Sequence, residues 1–276
     1  MKIRLWGVRG SLASAGPETV RYGGNTACVE IRPADGHLIV LDAGSGIRPL
    51  GATVTSSVRR IDVLLSHLHM DHIQGLGFFE PLFQRGAEIH IWGPPSLNAS
   101  LRDRLTRYLS PPLFPVPLRD LPSRPQFHDA PAEALQVGTV AMTAALVIHP
   151  GPTVGYRLSA AGRTVAYLAD HEPALGSRAF PEPARWLSGA SLAERADLLI
   201  HDAQYTTAKY AHRVGWGHST PEQAIAFASA IGARRLVTFH HDPSHDDAML
   251  DGMLASAVAP QGLTVIGGRE GLVFDA

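Results

Sequence analysis

His67-Leu68-His69-Met70-Asp71-His72 places four candidate metal ligands within six residues. Histidine is the commonest metal ligand near neutral pH, and aspartate adds a hard oxygen donor. Left unpaired, such a cluster is costly to take out of water. A divalent cation satisfies it and brings chemistry with it. The run follows Ile61 to Leu65, a short apolar, strand-like stretch that ends at Ser66. The ligands therefore sit on a loop at the C-terminal end of a strand, where a rigid element can position them. His67 and His69 are two apart and share one side of an extended segment. Asp71 and His72 open a short helix.

The same arrangement recurs further along the chain. Val147-Ile148 leads to His149, Tyr167-Leu168-Ala169 to Asp170, Leu199-Ile200 to His201-Asp202, and Val237-Thr238-Phe239 to His240. Neighbouring strand ends can converge on one sheet edge. Taken singly, each of these groups reads as readily as a satisfied core histidine or a turn aspartate. Beside the first cluster they read as parts of one site.

Bulk properties narrow the class. The chain has 276 residues, is 45% hydrophobic and 18% charged, and carries a formal net charge of −1. That length can bury a large core, and the charge gives no sign of a nucleic-acid coat or a membrane-surface binder. Cys28 is the single cysteine, so no intrachain disulfide forms; as a strand residue it reads as a small core side chain. The first residues lack a signal-peptide core, and no run of eighteen apolar residues predicts a membrane span. A cytoplasmic address is expected, with no membrane partner.

Strands are predicted at Lys2 to Trp6, at Ala27 to Arg32 paired with Leu38 to Leu41 around Asp35-Gly36, and at Glu88 to Trp92. Pro94 to Pro131 holds nine prolines. Apart from a helix within Asn98 to Leu109, it is expected to be irregular. Leu113, Phe114, Val116 and Leu118 are apolar for a plain surface connection, so a lid or a subunit contact is the alternative. One domain over 1–276 is expected, with this insertion or lid at about 93–133. Strands follow at Thr139 to Ile148, Val154 to Leu158, Thr164 to Leu168, Leu198 to Ile200 and Leu236 to Phe239. A helix runs from Ser219 to Ile231, with a capping box of Ser219 and Glu222 and Gly232 at its end. A further helix at His245 to Ala257 and strands at Leu263 to Ile266 and Leu272 to Phe274 close the chain.

His67-x-His69-x-Asp71-His72, followed by His149, Asp170 and His240, resembles the metallo-β-lactamase fold over nearly the whole chain. The resemblance implies an α/β (α+β) four-layer αββα sandwich with two metals at one edge. It gives His67, His69 and His149 to one metal and Asp71, His72 and His240 to the other, with Asp170 bridging. His240 is preferred to His241 because Arg235 to His240 matches the last ligand segment. Classical β-lactamases of this fold often carry a cysteine at the site, and di-iron members a carboxylate where this chain has His69. Neither subclass is expected here.

Gly217-His218-Ser219-Thr220 resembles the His-Ser-Thr motif of ribonuclease Z and related phosphodiesterases, and Leu198 to Ala203 resembles the segment with its acidic partner. Asp202 stands where that group usually has Glu. The long tRNA-gripping insertion of ribonuclease Z is not evident. Trp6 to Ser11, Tyr22 to Thr26 and Leu41 to Gly46 resemble a bacterial subgroup of the fold. Turn chemistry accounts for those glycines, while Arg9 and Asn25 are candidate substrate contacts.

The expected activity is hydrolysis of a small or cyclic phosphodiester by a hydroxide bridging two dications about 3.5–4 Å apart. His218, oriented by Asp202, donates a proton to the leaving alkoxide or steadies the charged transition state. Asp71 is counted with this catalytic group as well as among the ligands. Zinc suits the mixed N/O ligand set, with manganese and iron as alternatives. A ribonuclease Z-like RNA 3′-end endonuclease is the closest alternative. An ester or thioester hydrolase and a metal-stabilised binding module on the same fold are the others. A homodimer is expected by resemblance.

Overall fold

The computed structural model describes residues 1–173, 175–176, 180 and 184–276. Six strands come first: β1 (Lys2–Gly7), β2 (Cys28–Arg32), β3 (Leu38–Leu41), β4 (Ile61–Leu64), β5 (Ile89–Gly93) and β6 (Gln126–Asp129). Seven follow: β7 (Leu135–Val137), β8 (Val140–Leu146), β9 (Val154–Ala160), β10 (Arg163–Leu168), β11 (Leu198–Asp202), β12 (Arg235–Phe239) and β13 (Thr264–Gly267). The last strand, β14 (Val273–Asp275), returns to β1, so one sheet runs β14-β1-β2-β3-β4-β5-β6 and the other β13-β12-β11-β10-β9-β8-β7.

The alternation of side chains explains the layers. Ile39 and Leu41 of β3 enter a core shared with Tyr156, Tyr167, Ile200 and Phe239 of the second sheet. Leu38 and Val40 point the other way, toward Ile47 and Leu50 of α1 (Ile47–Gly51) and Leu101 and Leu105 of α3 (Leu101–Thr106). On the far face, Leu199 and Leu236 pack against Ala224, Phe227 and Ala228 of α6 (Pro221–Ala230). The strands β3, β4, β10, β11 and β12 are nearly continuous apolar runs because both of their faces are covered. The result is the αββα sandwich.

Pairing fixes where the strands end. β3, β4, β5 and β6 are mutually parallel, and so are β10, β11, β12 and β13. β9 is antiparallel to both β8 and β10, so β8 runs with β10. The C-terminal ends of β8, β10, β11 and β12 therefore meet at one edge, as in other α/β sheets where ligands bind beyond the carboxyl ends of strands. Among the described residues, no helix is long and apolar enough to cross a membrane.

Two expectations need correction. The proline-rich stretch is not irregular throughout after its helix: Gln126–Asp129 forms the edge strand β6 on β5. Its four residues are too few to show a period against the surrounding prolines. Phe114 and Leu118 are buried on the outer face of the first sheet, whereas Leu113 is 70% exposed. The cap of α6 is Thr220 with Gln223, one residue beyond the expected box. Ser219 is otherwise engaged, its hydroxyl donating to His171 O and its N–H to Asp202 Oδ1.

Cys28 lies fully buried in the core of the first sheet's outer face. His241 is buried beneath Tyr22, and its Nε2 donates to Gly268 O at 2.9 Å. Burial pushes this imidazole down to about 3, against the opposing pull of that hydrogen bond. The unfolded chain takes up a proton near pH 6.5 and the folded chain does not, so stability falls as pH drops from there toward 3. Between pH 7 and pH 5 this one group removes about 2 kcal/mol. His241→Gln, which keeps a donor, is expected to cut the pH 7-to-5 loss by about that amount in urea titrations of metal-free protein. Parallel pH profiles for parent and variant would refute this origin.

Candidate metal centre

The structure brings all seven predicted ligands to the common strand edge. His67 and His69 leave the loop after β4; Asp71 and His72 lie in α2 (Met70–Ile73). His149 follows β8, Asp170 follows β10 and His240 follows β12. They form two groups that meet at Asp170. Its Oδ2 lies 3.7 Å from His67 Nε2 and 3.6 Å from His149 Nε2, while His149 Nε2 is 3.2 Å from His69 Nδ1. Its Oδ1 lies 3.0 Å from His72 Nε2 and 3.2 Å from His240 Nε2. Asp71 Oδ2 completes the second group at 3.2 and 3.1 Å from those same nitrogens.

The donor set fits divalent metals. Metal–ligand distances near 2.1 Å put tetrahedral ligand atoms about 3.4 Å apart, and the observed spacings bracket that value. His67 Nε2 and Asp170 Oδ1 are buried without a hydrogen-bond partner, a costly state that a cation relieves. Electrostatics agree. Burial pushes His67 well down, which keeps it neutral as a ligand must be. Burial alone would raise Asp170, but His240, His72 and His67 hold it well below the usual carboxylate range. His72 is pulled well up, overcoming its burial, by Asp170, Asp71 and Asp42. The rings of His69 and His149 border the open side, since His69 is exposed.

Beside the two groups stands His218, whose Nδ1 is 2.7 Å from Asp202 Oδ2. The shorter aspartate still reaches because Asp202 ends β11 and also accepts from the N–H groups of Gln204 and Ser219. Burial pushes Asp202 well up and His218 down. His218 stacks on His240 with ring centroids 5.1 Å apart. Asp170, His218 and His240 also lie close enough to share an ion, but Asp202 already engages His218 Nδ1.

A family model for the beta-lactamase superfamily domain matches residues 37–241, the span that holds every one of these groups. The chain belongs to the beta-lactamase superfamily. Within it, the protein is a metal-binding hydrolase of the metallo-β-lactamase fold with ribonuclease Z-like sequence. Ribonuclease BN of Cronobacter sakazakii is 24% identical over 89% of this chain and 92% of its own length. Ribonuclease Z of Myxococcus xanthus is 27% identical over 77% and 80% respectively. Among solved structures, the metallo-β-lactamase fold protein YhfI of Bacillus subtilis superposes with TM-score 0.72 at 20% identity, covering 99% of this chain and 98% of that one. Unliganded yeast PDE1 gives 0.70 at 15%, covering 99% and 98%. A diphosphatase of the PhnP family gives 0.69 at 17%, covering 100% and 97%.

This superfamily member orients its histidines with groups that the motifs did not reveal. His72 Nδ1 donates to Asp42 Oδ2 at 2.7 Å, and the same carboxylate takes Ser66 Oγ and Tyr167 OH. Ser66 Oγ lies 3.0 Å from His67 Nδ1, His149 Nδ1 donates to Gly217 O, and His240 Nδ1 donates to Gln204 Oε1. Such partners set the tautomer and the aim of each ring. Asp42 directly follows the apolar strand β3, so the strand-then-carboxylate rule would have found it. Gln204 and the Gly217 carbonyl leave no trace in sequence. Buried Glu172 accepts from the N–H groups of Gly215 and Gly217 and holds the loop that carries His218. Gly10 is required by space, since a Cβ there would sit 2.2 Å from His240 Nδ1.

Arg9 and Asn25 are corrected. The Arg9 side chain is fully buried and donates to the carbonyls of Gly23, Asp242 and His245; it ties loops together and does not face a substrate. Asn25 Nδ2 donates to Glu270 Oε2, and its Oδ1 accepts from Ser45 Oγ, so both ends of its amide are engaged by protein groups. His240, not His241, reaches the cluster.

Asp42→Ala is expected to weaken binding at the second ligand group about 10–100-fold and to reduce turnover in proportion at limiting metal. Metal titration by competition with a chelator measures it. An unchanged affinity would show that Asp42 serves folding alone.

Proposed function

We propose that this hydrolase cleaves phosphodiesters, with a small or cyclic diester preferred to RNA. The observation that carries this reading is the Asp202–His218 pair, 2.7 Å apart, beside two ligand groups that share Asp170. In this reading His67, His69 and His149 hold one dication and Asp71, His72 and His240 the other, with Asp170 between them. Zinc suits the set best. Two such ions supply a nucleophile at neutral pH and neutralise charge on the phosphoryl oxygens.

The protein residues do the rest. Asp202 holds His218 through Nδ1, which leaves Nε2 without a protein partner among the described residues. His218 gives its Nε2 proton to the departing oxygen while Nδ1 keeps its hydrogen bond to Asp202, a transfer that counts most when that oxygen leaves as an alkoxide. Asp42, Ser66, Gln204 and the Gly217 carbonyl keep the imidazoles aimed, so little reorganisation accompanies loading.

The near-neutral net charge of −1 supports a small substrate, because affinity for RNA leans on neutralising many phosphates. The ribonuclease names of the sequence relatives favour the second reading, cleavage of RNA near a 3′ end. A panel of bis(p-nitrophenyl) phosphate, 3′,5′- and 2′,3′-cyclic nucleotides, a tRNA precursor and a thioester separates them. Turnover of the diesters and cyclic nucleotides, with a weak response to tRNA precursor, is the expected result. Efficient precursor cleavage with a steep salt dependence would replace this reading with the second. Activity on the thioester alone would end both.

A further inference from the structure

Leu68 and Met70 sit between the histidines of the ligand run and border a space beside the ligand groups. With Ile73, Tyr108 and Leu113 they line a hollow of about 560 Å³, walled on one side by Arg104 and Arg107. A second hollow of about 220 Å³ lies against His67 and His69 and shares Leu68 and Arg104 with the first. The two hollows are therefore neighbours on either side of Leu68 and Arg104, and one of them borders His67 and His69.

Arg104 is only partly satisfied. Arg104 ends one turn before Arg107 at the C-terminal end of α3, so both lie on one side. Arg104 Nη2 donates to Pro94 O at 2.6 Å, but its Nε is buried without a partner. Among the described residues, neither guanidinium pairs with a carboxylate. Like charges one turn apart oppose each other, and a buried donor without an acceptor is costly. One anion between the two guanidinium groups relieves the repulsion. The remaining walls are apolar, and Met70 is an adaptable side chain.

We propose that these two neighbouring hollows bind the organic arm of the substrate. The apolar or aromatic body of that arm lies on Leu68, Met70 and Tyr108, and a second phosphate on the arm meets Arg104 and Arg107. The substrate class is then a phosphodiester that carries a further phosphate on a nucleoside-like arm. This rests on the phosphodiesterase reading above and adds to it two specificity-determining residues remote from the reacting phosphorus.

The test compares kcat/KM of the metal-loaded protein for thymidine dinucleotide with and without a 5′-terminal phosphate. The parent is expected to prefer the phosphorylated form by about tenfold, the worth of a charge-assisted contact. Arg104→Ala and Arg107→Ala each bring the ratio toward one. Arg107 is exposed, so its variant tests the point without disturbing the bond from Arg104 to Pro94. Arg102→Ala removes a charge from the same helix but lines a different hollow, and it retains the preference. Equal rates for both dinucleotides in the parent, or a preference that survives in the Arg104→Ala/Arg107→Ala double variant, overturns the proposal. If neither dinucleotide nor bis(p-nitrophenyl) phosphate is cleaved, the phosphodiesterase reading itself fails and this inference falls with it.

Discussion

Asp170→Ala is expected to abolish hydrolysis, by more than about 10³-fold, and to reduce the bound metal below two per chain. The reason is geometric. One oxygen of this carboxylate faces His67 and His149, and the other faces His72 and His240. Removing it takes a ligand from both groups at once, and no neighbouring acid covers both. Asp71 reaches only the second group. His67→Ala is expected to lose activity to a similar degree while sparing the second group. Metal analysis after gel filtration, read beside hydrolysis of bis(p-nitrophenyl) phosphate, checks both. A fully active Asp170→Ala protein, or a metal-free active parent, would remove the basis of the proposed chemistry.

His218→Ala should behave differently. Its turnover is expected to fall roughly 10²–10⁴-fold, the usual worth of positioned proton transfer, with both metals retained. The loss should be smaller for a p-nitrophenolate leaving group than for an alkoxide, because a stable anion needs less protonation to depart. Asp202→Asn should reproduce part of the defect, since an amide cannot fix the same tautomer of His218. If His218→Ala instead emptied the site, His218 would be a ligand and the proton-donor assignment would be wrong. Equal losses for both leaving groups would argue for charge stabilisation over proton donation.

Much of this centre was legible in the chain. His67 to His72 is local, so no fold was needed to see it. His149, Asp170 and His240 follow the rule that an apolar strand ends in a polar group, and parallel strands bring such ends together. What escaped depends on paths that periodicity does not describe. The three carbonyls around Arg9 come from distant loops, so a buried tie looked like a free cation. Gln204 reaches His240 only because β11 and β12 are neighbours in register. Glu172 lies two residues after Asp170, yet the backbone N–H groups it accepts from are more than forty residues away. The cap of α6 moved by one residue because Ser219 answers to Asp202 and His171 before it answers to the helix.

The meeting of strand ends at one edge has a consequence for the energy landscape. Ligands spaced from 67 to 240 can be brought together only when both sheets are complete, so no partly folded fragment holds a finished metal centre. Metal affinity is therefore linked to global unfolding rather than to a local loop equilibrium. Loading should slow amide exchange in β3 and β12 together, although these strands lie in different sheets, and a chelator should release both at once. The edge that gathers the ligands would then also join the two halves of the sandwich into one cooperative unit.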